Sequence, residues 1–94
     1  MPQKFRVIRI IDGDTFVVSP AWKWGVKKGD RVRPTGYDTP ERGESGYTEA
    51  TKKLSALILN KFVYLGKPIT LTYGRLLCKV YFRGRDLASY FPEY

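Results

Sequence analysis

Apolar positions at the start of the chain alternate with period two and then lose step. Phe5 and Val7 share one face, after which Ile8 and Ile10 carry the apolar register. A slip of one residue is what a β-bulge produces, and bulges bend strands into small barrels. Lys4 to Ile11 therefore reads as a strand. Asp12-Gly13 is a hairpin signal, read here as a type I′ turn. Thr15 to Val18 is β-branched and aromatic and reads as the second strand. Pro20 to Asp30 reads as a loop or hairpin tip. Arg31 to Tyr37 reads as a third strand, with Pro34 and Gly36 marking an edge or a distorted end. Asp38 to Gly46 is a polar loop.

The period then changes. Ala50, Leu54, Leu57 and Ile58 fall at helical spacing, with Lys52 and Lys53 off that face, which predicts a helix from Thr48 to about Asn60. Glu49 in its first turn suits the helix dipole. Ile69, Leu71 and Tyr73 alternate with Thr70 and Thr72, predicting a half-buried strand. Leu76 to Phe82 predicts another, with Gly74-Arg75 and Arg83-Gly84 as turns around it. Leu87 to Phe91 starts a short helix that Pro92 ends. The order is three strands, a helix, two strands and a helix fragment. It predicts a mainly β chain with some α: a five-stranded, Greek-key barrel of the OB type, one domain over residues 1–94. Such barrels often bind nucleic acids, although a fold alone does not license a function.

Composition narrows the chemistry. Ninety-four residues make one domain, and 17 Lys and Arg against 9 Asp and Glu leave a net charge of +8. A surplus of that size on a small domain attracts polyanions, with binding that weakens steeply in salt. Anionic membranes would suit the charge, but no amphipathic helix with a basic face stands out, and no apolar run approaches the roughly 20 residues of a membrane span. The N-terminus alternates charged and apolar residues, unlike a signal peptide. Cys78 is the only cysteine, so it has no partner for an internal disulfide; its apolar surroundings predict a small core residue. The absence of histidine removes the usual general base and the usual transition-metal ligand. Acid–base work falls to Asp, Glu, Lys, Tyr or water, and any metal would be an oxygen-loving one such as Ca²⁺ or Mg²⁺.

Two acidic motifs stand apart: Ile11-Asp12-Gly13-Asp14-Thr15, and Tyr37-Asp38-Thr39-Pro40-Glu41 with Arg33 upstream. Glu49-Ala50 and Lys52-Lys53 follow on the helix, then Tyr73-Gly74-Arg75. Carboxylates offer hard ligands for a cation, and arginine's planar fork grips phosphate bidentately. Taken singly, each has a plainer reading: the second motif as a turn or helix cap, Arg33 as a solvated strand residue, Arg75 as a turn residue. Between the motifs, Trp22 and Trp24 are interleaved with Lys23, Lys27 and Lys28. Such residues can stack bases and hold phosphates, or the two indoles can pack across their own hairpin.

Together, in this order and spacing over roughly residues 4 to 91, the motifs resemble the staphylococcal nuclease (thermonuclease-like) family. The resemblance implies an OB-fold barrel that hydrolyses DNA and RNA with Ca²⁺ and little sequence specificity. It makes Asp14 and Asp38 metal carboxylates, with the Thr39 backbone carbonyl as a further ligand. Arg33 and Arg75 would grip the scissile phosphate, and Tyr73 would join the nucleic-acid contacts. Glu41 would orient or deprotonate the attacking water; a glutamate is a weak base near neutral pH unless its acidity is shifted, and the sequence leaves the two roles open. The products would carry 3′-phosphates.

Three departures from the family pattern stand out. Ile69-Thr70-Leu71-Thr72 runs straight into Tyr73-Gly74-Arg75, without the usual polar loop, which places Arg75 on a tight hairpin. Less chain follows the last strand, so Tyr90 and Tyr94 match only by position the tyrosines that touch a terminal phosphate. Pro34 directly follows Arg33. The competing expectations are a catalytically weak or inactive OB-fold module that binds nucleic acid, and an assembly domain whose basic face meets an acidic protein. A monomer is expected in each case.

Overall fold

The computed structural model describes residues 3–94. Its strands are β1 (Lys4–Asp12), β2 (Thr15–Trp24), β3 (Lys27–Pro34), β4 (Phe62–Thr72), β5 (Arg75–Phe82) and the two-residue β6 (Arg85–Asp86). Helix α1 (Tyr47–Ile58) joins β3 to β4, and a 3₁₀ turn (Leu87–Tyr90) follows β6. The sheet order is β3-β2-β1-β4-β5-β6, all antiparallel except for a parallel pairing of β3 with β5. That last pairing, Val32 to Pro34 against Leu76 to Cys78, closes strands β1 to β5 into a barrel of the OB type. Closure removes the sheet edges that would otherwise invite foreign strands.

Bulges give β1 its curvature. Val7 pairs with Val18 and Arg9 with Val17, leaving Ile8 unpaired between them; a second shift lies between Ile10 and Asp12. The extra residue restores the inward register at Ile10, which packs against the core, as the change of alternation predicts. Ile8 itself does not join that register. It is the bulged residue and stays exposed.

Five strand boundaries here differ from the sequence reading. β2 runs on to Trp24 and β3 starts at Lys27, so the segment read as a loop or hairpin tip is the paired end of a long hairpin. β3 stops at Pro34, which pairs with Cys78; the Thr35 N–H donates to the Cys78 carbonyl at 3.0 Å, and Thr35 to Tyr37 is irregular. β4 begins at Phe62, seven residues before the predicted start; Gly66 and Pro68 interrupt the alternation there, and the register shifts on both sides of Pro68. Tyr73 does not continue the strand but stands 95% exposed in the β4–β5 turn.

The barrel is filled by Val7, Phe16, Val18, Val32, Val63, Leu76, Cys78 and Val80, with regular alternation clearest along β5. Helix α1 adds Leu54 and Ile58 to the same core and buries Ala50. The chain after β5 packs against the Tyr37 loop: the Phe91 ring stacks on Tyr37 at 4.4 Å and 10°. Lys53 of α1 ties in by a 2.8 Å ion pair to Glu93 and lies over the Phe91 ring at 4.6 Å. Among the described residues no helix is long and apolar enough to cross a membrane.

Candidate functional site

Asp12, Asp14, Arg33, Asp38, Thr39, Glu41 and Arg75, with Pro40 and Arg42, line one polar cleft of about 310 Å³. These residues come from the β1–β2 turn, the end of β3, the loop after it and the start of β5. The parallel β3–β5 pairing sets Arg33 opposite Leu77 and brings Arg75 to the same end of the barrel. The folded chain therefore gathers every acidic and arginine position of the two motifs and of the Tyr-Gly-Arg segment.

The β1–β2 turn is not type I′, because neither Gly13 nor Asp14 has a positive φ. Its device is local: the Asp12 carboxylate accepts the Asp14 N–H at 3.1 Å. Gly13 serves close approach instead of left-handed backbone. A Cβ there would lie 2.7 Å from Thr39 Oγ1 and 2.9 Å from the Ala50 Cβ. The turn thus presses against both the second motif and the helix. The Tyr37 hydroxyl donates to the Gly13 carbonyl at 3.0 Å, and the Thr39 N–H donates to Asp14 Oδ2 at 3.4 Å. These two bonds lock the acidic motifs together across 24 and 25 residues of chain.

Asp14 is almost fully buried. Burial foremost, then the adjoining Asp12 carboxyl, push its own carboxyl from the ordinary 3.8 up to about 6, against the pull of Arg33 and the Thr39 N–H. Asp38 points outward, with its side chain 83% exposed. Arg33 lies between the two acids, 3.4 Å from Asp14 Oδ2 and 3.2 Å from Asp38 Oδ1. Its other terminal nitrogen donates to the Tyr37 carbonyl at 3.2 Å and to the Pro34 carbonyl. Pro34 therefore leaves Arg33 facing the cleft and supplies one of the oxygens that hold it.

Arg75 sits directly after a two-residue turn, Tyr73-Gly74, with φ of 51° and 76°, the left-handed pair that a type I′ turn requires. Its guanidinium is held by the Thr72 carbonyl at 3.1 Å and Thr15 Oγ1 at 2.9 Å. The tight hairpin therefore keeps Arg75 on the cleft wall. Arg33 and Arg75 also border a broader groove of about 630 Å³ that runs along Thr70 to Thr72, Tyr37 and Leu77. Glu41 is exposed at the cleft rim, its N–H donating to Glu44 Oε1 at 2.6 Å.

The donor set is all oxygen, which suits Ca²⁺ or Mg²⁺ and not a metal that favours thiolate or imidazole. Asp14, Asp38 and the Thr39 carbonyl could hold such an ion. Among the described residues no three Asp, Glu, His or Cys side chains converge on one metal position. Much of any ion's coordination would come from water and backbone.

The remaining expected contacts lie elsewhere. Trp22 is not a stacking residue: it is 3% exposed, its indole N–H donates to the Arg31 carbonyl at 2.9 Å, and Gly29 lies beneath its ring. Trp24 is partly exposed, and Lys23 and Lys27 pair with Lys28 and Trp24 across the hairpin. That hairpin lies at the opposite end of β2 from Thr15, roughly 30 Å away at strand rise. Tyr90 and Tyr94 pack on Phe82 and Phe91 instead of facing the cleft. A scan of protein-family models and a search of curated proteins both find no match for this chain.

Three residues in or behind the cleft were given no site role by the sequence, although two of them lie in the first motif. Asp12 reads as a turn residue, yet its carboxyl sets the turn and raises that of Asp14. Thr15 was legible only as a β-former, and it positions Arg75. Arg42 carries no local signal beyond its charge.

Proposed function

We propose that this chain is a thermonuclease-like phosphodiesterase that cleaves DNA or RNA with Ca²⁺ and reads no base sequence. The observation that carries the proposal is the meeting, in one cleft, of two paired carboxylates and two side-chain-anchored arginines from four separate parts of the chain. Scattered turn acids and solvated strand arginines have no reason to converge in this way.

Arg33 and Arg75 would bind the non-bridging oxygens of the scissile phosphate, with the sugar-phosphate chain lying in the groove that both border. The anchors of Arg75 keep its guanidinium oriented before substrate arrives, so little reorganisation is needed there as charge grows on the phosphate. Ca²⁺, when bound at Asp14, Asp38 and Thr39, supplies a Lewis acid and a template for the phosphate. Asp14 and Asp38 now share Arg33, so phosphate and carboxylates compete for one guanidinium. Neutralising the carboxylates frees Arg33 for phosphate, and the two binding events favour each other. Glu41, at the rim, would orient or deprotonate the attacking water. In the family resembled, the 5′ oxygen leaves and a 3′-phosphate remains.

Two replacements test the reading. Asp14→Ala should abolish Ca²⁺-dependent cleavage of a labelled oligonucleotide without unfolding the barrel. Arg33→Gln should lower kcat by about 10²–10³-fold, the usual cost of one transition-state donor. Full activity in either variant sinks the assignment. A second reading, a binding barrel without chemistry, draws on the same pairing of Arg33 with both acids; it predicts salt-dependent binding and no product.

A further inference from the structure

On the outer wall of the barrel, away from the cleft, three exposed aromatic rings stand on adjoining strands. Phe62 and Tyr64 are two residues apart on β4 and share a face, 51% and 37% exposed. Tyr64 stands opposite Tyr81 of β5, 38% exposed, and on its other side opposite Lys4 of β1; Phe62 stands opposite Arg6. Directly opposed side chains are roughly 5 Å apart at Cβ. The alternate residues Val63 and Val80 fill the core, so the rings are committed to the outside.

Cations interleave these rings. The Lys4 ammonium lies 5.3 Å from the Phe62 ring centre. Among the described residues Lys4 and Arg6 belong to no ion pair, and the Tyr64 and Tyr81 rings stack on no other aromatic. The acid bordering the wall, Asp86 opposite Tyr81, is engaged by the Ala88 N–H at 3.0 Å and by Lys79 at 3.9 Å.

We propose that this wall is a stacking platform for the unpaired bases of single-stranded nucleic acid, with Lys4 and Arg6 holding its phosphates. Exposed rings, with Tyr64 and Tyr81 unstacked and Lys4 over Phe62, beside cations outside any ion pair match a chain that offers flat apolar bases and regular negative charge together. A duplex offers the charge but keeps its bases stacked inside. An acidic protein surface would satisfy the cations and leave the rings without a partner. The inference rests on this wall alone and does not need the cleft to be catalytic. If both hold, β1 links them: it runs from Lys4 at the platform to Asp12 at the cleft, roughly 25 Å at strand rise.

The test is fluorescence anisotropy of a labelled oligothymidylate in chelator and low salt, against a duplex and an abasic strand of equal length. Phe62→Ala with Tyr64→Ala should weaken single-strand binding at least about tenfold and leave duplex binding unchanged. The abasic strand should bind the native protein as weakly as oligothymidylate binds the variant. Leucine at both positions keeps apolar bulk and removes only the rings; it should show the same loss, and it serves if the alanine pair unfolds. Unchanged affinity, or equal loss for all three ligands, overturns the platform. So does concentration-dependent self-association of the native protein that the leucine pair abolishes, since the wall would then join two copies of the chain.

Discussion

Asp14 shows how a single residue can be set against the stability of its own fold. Its carboxyl is raised by burial and by Asp12 to about 6. A raised carboxyl contributes stability in full below its unfolded value of 3.8, and that contribution is lost as pH rises through about 6. At neutral pH the ionised group therefore costs stability. Asp14→Asn keeps an oxygen acceptor for the Thr39 N–H and removes the charge. It should stabilise the protein by about 1–3 kcal/mol at pH 7, with the gain absent below pH 3.8. Urea unfolding at the two pH values checks this; no gain at pH 7 would mean that the Arg33 pair outweighs burial. Residue types were legible in the sequence here, and side-chain partners were not. Asp14, Asp38, Arg33 and Arg75 stand out by chemistry and spacing. That the Thr39 N–H bonds Asp14, or that Thr15 holds Arg75, depends on contacts made only when distant segments meet.

Among the elements, the 3₁₀ turn and the residues after it brace the cleft from behind. Phe91 stacks on Tyr37, whose hydroxyl holds the Gly13 carbonyl. The brace predicts that Tyr37→Phe, which strands a buried carbonyl, costs about 1–2 kcal/mol and lowers cleavage more than that loss of folded protein explains. Unfolding curves and rates measured on the same samples separate the two effects. Helix α1 was visible because three turns of apolar spacing are hard to mistake. Strand β4 was half missed because Gly66 and Pro68 break its alternation, and only pairing with β1 and β5 makes Phe62 to Lys67 a strand. A turn was legible at Gly74-Arg75, one residue late: it is Tyr73-Gly74, and Arg75 already opens β5. The turn's left-handed backbone, unusual for a tyrosine, was not.

For the whole molecule, the order of elements was enough to predict a five-stranded barrel, since few folds place a helix between three strands and two. The closing contact, β3 beside β5, is non-local and leaves no mark in either segment. Cys78, inside that seam, reports on closure. Burial pushes its thiol from 9.0 up to about 11, so it stays protonated until pH rises well above its unfolded value. At pH 8 a thiol reagent should label the native protein no faster than the barrel opens, and label it quickly in urea; rapid native labelling would contradict a closed seam. The central claim, that this barrel end cuts phosphodiester bonds, is tested most directly by cleavage of a fluorophore-quencher single-stranded DNA. Native protein with Ca²⁺ is compared with the same reaction in chelator and with Glu41→Ala. Cleavage that needs Ca²⁺ and is lost in the variant is the predicted result. Retained binding at low salt with no product in any reaction would contradict it.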